Sequence, residues 1–243
     1  MLNPAVHYRL EVLGGFRLKR DTHQLVSVRP SCRRLVGLLA VTGPQHRMEA
    51  AEALWPGLGE RQGQSNLRTV LWRLRQQEGE LVTDDNGYVS LIGVEVDLTD
   101  VVDWCRANLG ESVPGPMPPE AVAHDVLPGW PDNWLLLPRE ELQVLKVHAL
   151  DAAGNNALTA GHFGDACHLA RIAISLDPLR ESSNRLLIQI YLREGNPVDA
   201  VRHYRLFAAR LRDEIGADPS PDTTALVAGN PPGQEFSSGE NHG

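Results

Sequence analysis

From His7 onward the chain alternates apolar and polar side chains. In "HYRLEVLGGFRLKRDTHQLVSV", Tyr8, Leu10 and Val12 fall on one side, and Phe16 and Leu18 follow a Gly14-Gly15 turn. A period of two is that of a half-buried strand, so two or three short antiparallel strands are predicted here. After Pro30 the period changes. Leu35, Val36, Leu38 and Leu39 suit a helix entered at Pro30-Ser31 and ended by "TGPQ". A second short helix, "HRMEAAEALWPG", is stopped at Trp55-Pro56-Gly57, and a third contains "SNLRTVLWRLRQ". The stretch "ELVTDDNGYVSLIG" then holds two β-prone runs around Asn86-Gly87, a pair that tolerates the positive φ of a tight hairpin turn.

Strands, three helices and a hairpin in that order predict a winged helix, in which the third helix enters the DNA major groove and the hairpin is the wing. From Asp97 the chain turns helical. "DLTDVVDWCRANLG" reads as one helix, and "ESVPGPMPPEA" as a Pro- and Gly-rich loop, expected to be mobile near residues 110–125. After "LPGWPDNWLLL" the helical pattern runs to about residue 228, and "NPPGQEFSSGENHG" has the composition of a disordered tail. The expected domains are 1–96, 97–228 and a tail, 229–243. Within the helical half, Gly161-x-x-x-Asp165-Ala166 recurs as Gly195-x-x-x-Asp199-Ala200, a displacement of 34 residues. That is the tetratricopeptide period, and Ala173 and Pro178 fall where such a repeat wants a small residue and a helix stop.

Charge sharpens the reading of the third helix. The chain carries a net charge of −8, yet residues 7–75 hold 12 Lys/Arg against five acids, and residues 76–104 hold eight acids and no base. Between Arg61 and Gln77 there is no acid. Generic surface helices mix signs, because i,i+4 acid–base pairs relieve self-repulsion. Here Leu67, Val70, Leu71 and Leu74 gather within about 100° as a core stripe. Opposite lie Ser65, Thr69, Trp72 and Gln76, with Asn66 and Arg73 on one flank and Arg68 and Arg75 on the other.

Arginine offers a bidentate fork to guanine and asparagine to adenine, so this face has the chemistry of base readout. The alternative is a solvated arginine face with no ligand, and the winged-helix order favours recognition over it. Trp72 has two readings: packing against the wing or a neighbouring helix, or contact with a sugar or base methyl. The wing tip, "TDDNG", is acidic, and Asp84 and Asp85 would be repelled by phosphate. Arg33 and Arg34 on the first helix are the further phosphate candidates; adjacent residues point about 100° apart, so one of the two is expected to reach.

Enzymatic chemistry is not indicated. No His/Cys cluster has metal-ligand spacing, HExxH is absent, and "VLGGF" lacks the GxGxxG phosphate loop. Asp84 to Glu95 has the length of a calcium loop, but Val89 occupies the position that needs Gly. No cofactor or metal is expected. Cys32, Cys105 and Cys167 fit no disulfide framework and read as small core residues of a reducing cytoplasm. No signal peptide or membrane span is read. A competing reading is a helical-repeat adaptor that acts through protein contacts without specific DNA binding.

The segments "LEVLGGFRL", "RRLVGLLAVTG", "EALWPG", "SNLRTVLWRLR" and "LVTDDNGYVSL" resemble the N-terminal winged helix of the Streptomyces antibiotic regulatory proteins. The second half, notably "DPLRESSNRLLIQIYLREGN" and "RDEIGADPSP", looks like their bacterial transcriptional activation domain. The resemblance covers residues 7–228 and is to the small members, without an ATPase module. It implies an α+β winged helix-turn-helix (OmpR/PhoB-like) domain followed by an all-α tetratricopeptide-like helical domain. It further implies a transcriptional activator that binds double-stranded promoter DNA at direct repeats near a −35 element. Such proteins self-associate side by side, engage RNA polymerase holoenzyme (sigma factor and core subunits) and switch on an antibiotic gene cluster. The DNA-binding residues it implies are Arg61, Asn66, Arg68, Thr69, Trp72, Arg73 and Arg75. The acidic wing tip departs from the neutral or basic tips of that family.

Overall fold

A computed structural model describes residues 7–20, 24–78, 81–110 and 115–229. These residues fall into two compact units: those up to Cys105 together with Pro118–Leu145, and those of Arg106–Met117 together with Lys146 onward. The tail proposed for 229–243 lies outside the described residues apart from Gly229.

The first unit opens with strands β1 (Tyr8–Glu11), β2 (Arg17–Arg20) and β3 (Gln24–Leu25), antiparallel as the alternation predicts. Leu10 faces Leu18 across the β1–β2 pair, and both are almost completely buried. Helix α1 (Pro30–Thr42) begins with Pro at its first turn, where a missing N–H costs nothing. A two-residue strand β4 (Gln45–His46) leads into α2 (Arg47–Leu54), whose first turn is capped by His46 Nδ1 accepting from Met48 N–H. Helix α3 (Glu60–Glu78) follows, then the hairpin β5 (Val82–Asp85) and β6 (Tyr88–Leu91). The turn residues Asn86 and Gly87 have φ of 50° and 81°, the pair of positive values a two-residue hairpin needs.

Two strands were not read from the alternation. β4 joins the edge of the wing, giving the order β4-β6-β5, and β7 (Val94–Val96) pairs in parallel with β1, giving β3-β2-β1-β7. Both are two or three residues long, too short to show a period. After β7, helix α4 (Asp97–Leu109) starts at a carboxylate that accepts from the N–H groups of Val12 and Leu13 at 2.9 and 3.1 Å. Burial pushes the Asp97 carboxyl above the usual aspartate range, against the pull of these backbone N–H groups.

The segment Pro118–Leu145, which falls inside the expected second domain (97–228), clusters with the first unit. Leu13 and Val126 form a β-bridge, Gly14 N–H donates to Asp125 O and Leu127 N–H to Val12 O, both at 2.8 Å. Residues 120–123 of the loop expected to be mobile form a 3-10 turn with Val122 buried, whereas 111–114 lie outside the described residues.

In the second unit, helix α5 (Leu136–Thr159), of which residues from Lys146 belong here, is followed by α6 (Phe163–Leu176), α7 (Glu181–Arg193), α8 (Pro197–Ile215) and α9 (Pro221–Ala228). The 34-residue repeat is structural. His162 N–H donates to Ala157 O and Gly161 N–H to Leu158 O; Asn196 N–H donates to Tyr191 O and Gly195 N–H to Leu192 O, each partner displaced by the same interval. Gly161 and Gly195 sit at φ of 80° and 78°, the left-handed value that ends a helix this way. Ala166 and Ala200 are fully buried, the small residues that let paired helices approach.

The motif "DPLRESSN" also has a physical account. Asp151 on α5 accepts from Arg180 Nε at 2.9 Å and from the hydroxyls of Ser182 and Ser183 at 2.6 Å, which anchors the start of α7. Asn184 donates to the carbonyls of Pro178 and Arg180, closing the turn before that helix.

Candidate nucleic-acid interface

The face of α3 that meets the core is the one its periodicity marks. Leu67, Val70, Leu71 and Leu74 are each 5% exposed or less. Gly63 lets α3 cross α2 closely, since a Cβ there would stand 3.3 Å from the Ala51 Cβ. Burying a leucine stabilises by about 1.5–3 kcal/mol, so this stripe holds the helix in place and leaves its other face outward.

On that outer face Arg61, Ser65, Arg68, Trp72 and Arg75 are all exposed. Their spacing of four and three places them in one line along the helix, about 21 Å from end to end at 1.5 Å per residue. Asn66 and Arg73, seven apart, form a second and partly buried line on the flank. Among the described residues none of Arg61, Arg68, Arg73 and Arg75 has an acidic group within ion-pair distance. Thr69 is exposed, and its hydroxyl donates to Ser65 O at 3.0 Å. Gln62 donates to Asn66 Oδ1 at 3.1 Å, orienting that amide. Trp72 is 62% exposed. No aromatic ring partner for it is found among the described residues.

The first helix contributes less than its two arginines suggest. Arg34 pairs with Asp132, with Nε 3.0 Å from Oδ1, and that carboxylate is nearly buried. Arg33 is exposed, its Nε donates to Val28 O at 2.7 Å, and its guanidinium stands 5.9 Å from the Phe16 ring centroid. The geometry therefore separates the two: Arg34 is engaged in an ion pair inside the unit, and Arg33 has no acidic partner among the described residues.

The acidic wing is altered in the same way. Arg47 at the start of α2 pairs with Asp84, and its Nε is 3.4 Å from Gln64 Oε1 on α3. One of the two wing acids is thus neutralised internally, while Asp85 stays exposed. Tyr88, 53% exposed, packs edge-on against His46 with ring centroids 5.4 Å apart, and adds an aromatic surface to the wing. Local sequence pattern marks neither Arg47 nor Tyr88, because the partner of each lies on a separate element of the fold. Among the described residues no group of three or more His, Cys, Asp or Glu side chains could hold a metal ion. No described helix is long and apolar enough to cross a membrane.

Three helices and a β-hairpin wing, with a cationic third helix facing outward and a helical repeat in the second unit, define a winged-helix protein with a helical partner domain. Comparison with known proteins agrees. Residues 121–229 match the bacterial transcriptional activator domain family. The chain is 27% identical over 236 residues to regulatory protein AfsR of Streptomyces coelicolor, covering 90% of this chain and 24% of that protein. It is likewise 27% identical over 238 residues to AfsR of Streptomyces griseus, again covering 90% of this chain and 24% of the relative. The chain therefore spans about a quarter of the length of these curated relatives. A solved structure of Mycobacterium tuberculosis EmbR in complex with a low affinity phosphopeptide superposes with a TM-score of 0.62 at 21% identity. That likeness covers 92% of this chain and 64% of the other, and speaks for the fold. Residues 121–229 thus carry a bacterial transcriptional activator domain, and the chain as a whole is similar to these regulatory proteins.

Proposed function

We propose that this chain is a sequence-specific DNA-binding activator, with residues 1–96 as the DNA-binding domain and 97–228 as the activation domain. The observation that carries the reading is the exposed line Arg61–Arg68–Trp72–Arg75 on α3, which has no acidic partner among the described residues. Phosphate and base edges would supply the missing counter-charge, with Arg68, Arg73 and Asn66 offering donors to guanine or adenine. The internal pairing of Arg47 with Asp84 supports it, because it removes one of the two charges that would repel DNA at the wing.

In this reading two protomers lie side by side on direct repeats near a −35 element and contact RNA polymerase holoenzyme. The loop 56–60, with Leu58 half-exposed and glycines at φ of 80° and 74°, the acidic wing and the acidic helical half are the surfaces available for that contact. The output would be transcription of an antibiotic biosynthetic cluster. Head-to-tail protomers predict direct rather than inverted repeats.

The test is selection of bound sequences from a random duplex pool with the full chain, followed by gel shifts of the winning site across salt. The expected result is a tandem repeat bound with steep salt dependence. Salt-independent or sequence-blind binding would overturn the reading and favour an adaptor acting through protein contacts.

A further inference from the structure

The first unit contains a cavity of about 920 Å³ that the DNA-binding reading does not use. Its walls come from the β1–β2 turn, the first turn of α1, the end of α2 and the loop 128–134. Three of the chain's nine Trp and Phe residues converge on it: Phe16, Trp130 and Trp134. Phe16 and Trp130 are stacked, with centroids 5.9 Å apart and planes at 24°.

The loop is held as a pre-formed wall. Arg139 donates from Nε to Val126 O at 2.9 Å and from its terminal nitrogens to Leu127 O and Trp130 O. Gly37 admits Trp130 against α1, since a Cβ there would meet the indole at 3.0 Å. Leu127 is held at φ 43°, a left-handed value that a branched side chain rarely adopts. Backbone strain of this kind is kept only where the surroundings over-determine it, and it gathers at binding sites. Arg34 fixes the far end of the loop through Asp132.

Two of the lining residues carry polar groups that are not fully engaged. The Trp134 Nε1–H is buried with no hydrogen-bond partner, a state that costs about 1–3 kcal/mol and is uncommon in a finished core. Arg33 lines the cavity with no acidic partner among the described residues, its guanidinium near the Phe16 ring. Glu52 closes the α2 side, which disfavours a dianion and leaves room for one negative charge toward Arg33.

We propose that this cavity is a binding site for a small planar aromatic monocarboxylate. The rings stack on the aromatic wall and the acid pairs with Arg33. The volume lies within the ordinary range of small-molecule sites, and the rigid wall removes the ordering cost that weakens unformed ones. The site stands independently of the DNA reading, since its occupancy is measured without DNA.

The experiment is calorimetric titration of the full chain with 2-naphthoate, set against its neutral analogue 2-naphthalenemethanol. The expected result is saturable one-to-one binding of the acid, about tenfold tighter than the alcohol, a difference that corresponds to about 1.4 kcal/mol. Arg33→Gln should abolish the difference between acid and alcohol. Trp134→Phe, which shrinks the aromatic wall, should weaken both ligands severalfold. Ala53→Trp, which fills the cavity from α2 at a partly exposed position, should remove binding altogether; circular dichroism checks the fold of each variant. Absence of saturable binding, or binding that all three folded variants retain unchanged, would overturn the proposal. Should Trp134→Phe fail to fold, Arg33→Gln and Ala53→Trp decide alone.

Discussion

Arg47 and Asp84 are joined by an ion pair that ties the first turn of α2 to the first strand of the wing. Both side chains are less than a quarter exposed, so solvent screens the pair only in part. Asp84→Ala should destabilise the chain by about 1–3 kcal/mol, because it leaves a partly buried guanidinium without its acceptor. A double-mutant cycle with Arg47→Ala, read by urea denaturation, should give a coupling of about 1 kcal/mol. A coupling near zero would mean that the wing is held by packing alone. On DNA, Asp85→Asn should raise affinity more than Asp84→Asn, since only Asp85 presents an unneutralised charge.

The arginines of α3 and those of α1 should separate in behaviour. Arg68→Ala is expected to lower the slope of log K against log salt by about one while leaving the melting temperature unchanged. Arg73→Ala should cost about 1–3 kcal/mol of discrimination between the selected site and a mutated one, if it makes a bidentate base contact. Arg34→Ala should do the reverse. It strands the nearly buried Asp132 carboxylate, so it should cost about 1–3 kcal/mol of stability and little salt dependence. Gel shifts over a salt series, paired with thermal melts, measure both quantities.

Trp72 provides a sharper discriminator. A ring that is 62% exposed contributes little to the fold, so Trp72→Ala should change stability by less than about 0.5 kcal/mol. Its place between Arg68 and Arg75 on the outward line predicts weaker binding of the selected site. Unchanged DNA affinity in a stable Trp72→Ala protein would show that the line is turned away from the groove.

The second unit carries an acid-sensitive joint. Glu181 at the start of α7 accepts from Ser220 N–H at 3.0 Å and from the hydroxyls of Ser220 and Thr223, which docks α9. Burial pushes this carboxyl up, but the donated hydrogen bonds outweigh it, so its proton affinity lies below the usual glutamate range. A carboxylate depressed in the folded state stabilises it fully above the unfolded value, about 4.3, and loses that contribution as pH falls through the folded value. Stability of the full chain should therefore decline below about pH 4.3, and Glu181→Gln should flatten that part of the profile. Equilibrium urea melts of both proteins between neutral and acid pH test this; identical profiles would discount the joint.

Much of the fold was legible in local spacing. The core stripe of α3, the Asn86-Gly87 turn and the paired glycines of the repeat all depend on residues within a few positions of one another. Period, turn chemistry and helix ends are properties of the chain over one or two turns, so sequence alone carries them. The candidate surface on α3 was legible for the same reason: a helix that buries Leu67, Val70, Leu71 and Leu74 must turn Arg68 and Trp72 outward.

Other features are contacts between distant segments, which no local period encodes. Arg34 and Arg33 look alike in sequence, yet a carboxylate 98 residues away engages one and leaves the other facing a cavity. The wing reads as purely acidic until Arg47 folds against Asp84. Strand β7 is too short to announce itself and exists because β1 offers it an edge. The sequence determined which faces each element would bury and which it would show. Only the tertiary structure decided which of the shown charges remained unpaired, because pairing depends on what folds alongside, and that is settled by packing over the whole unit.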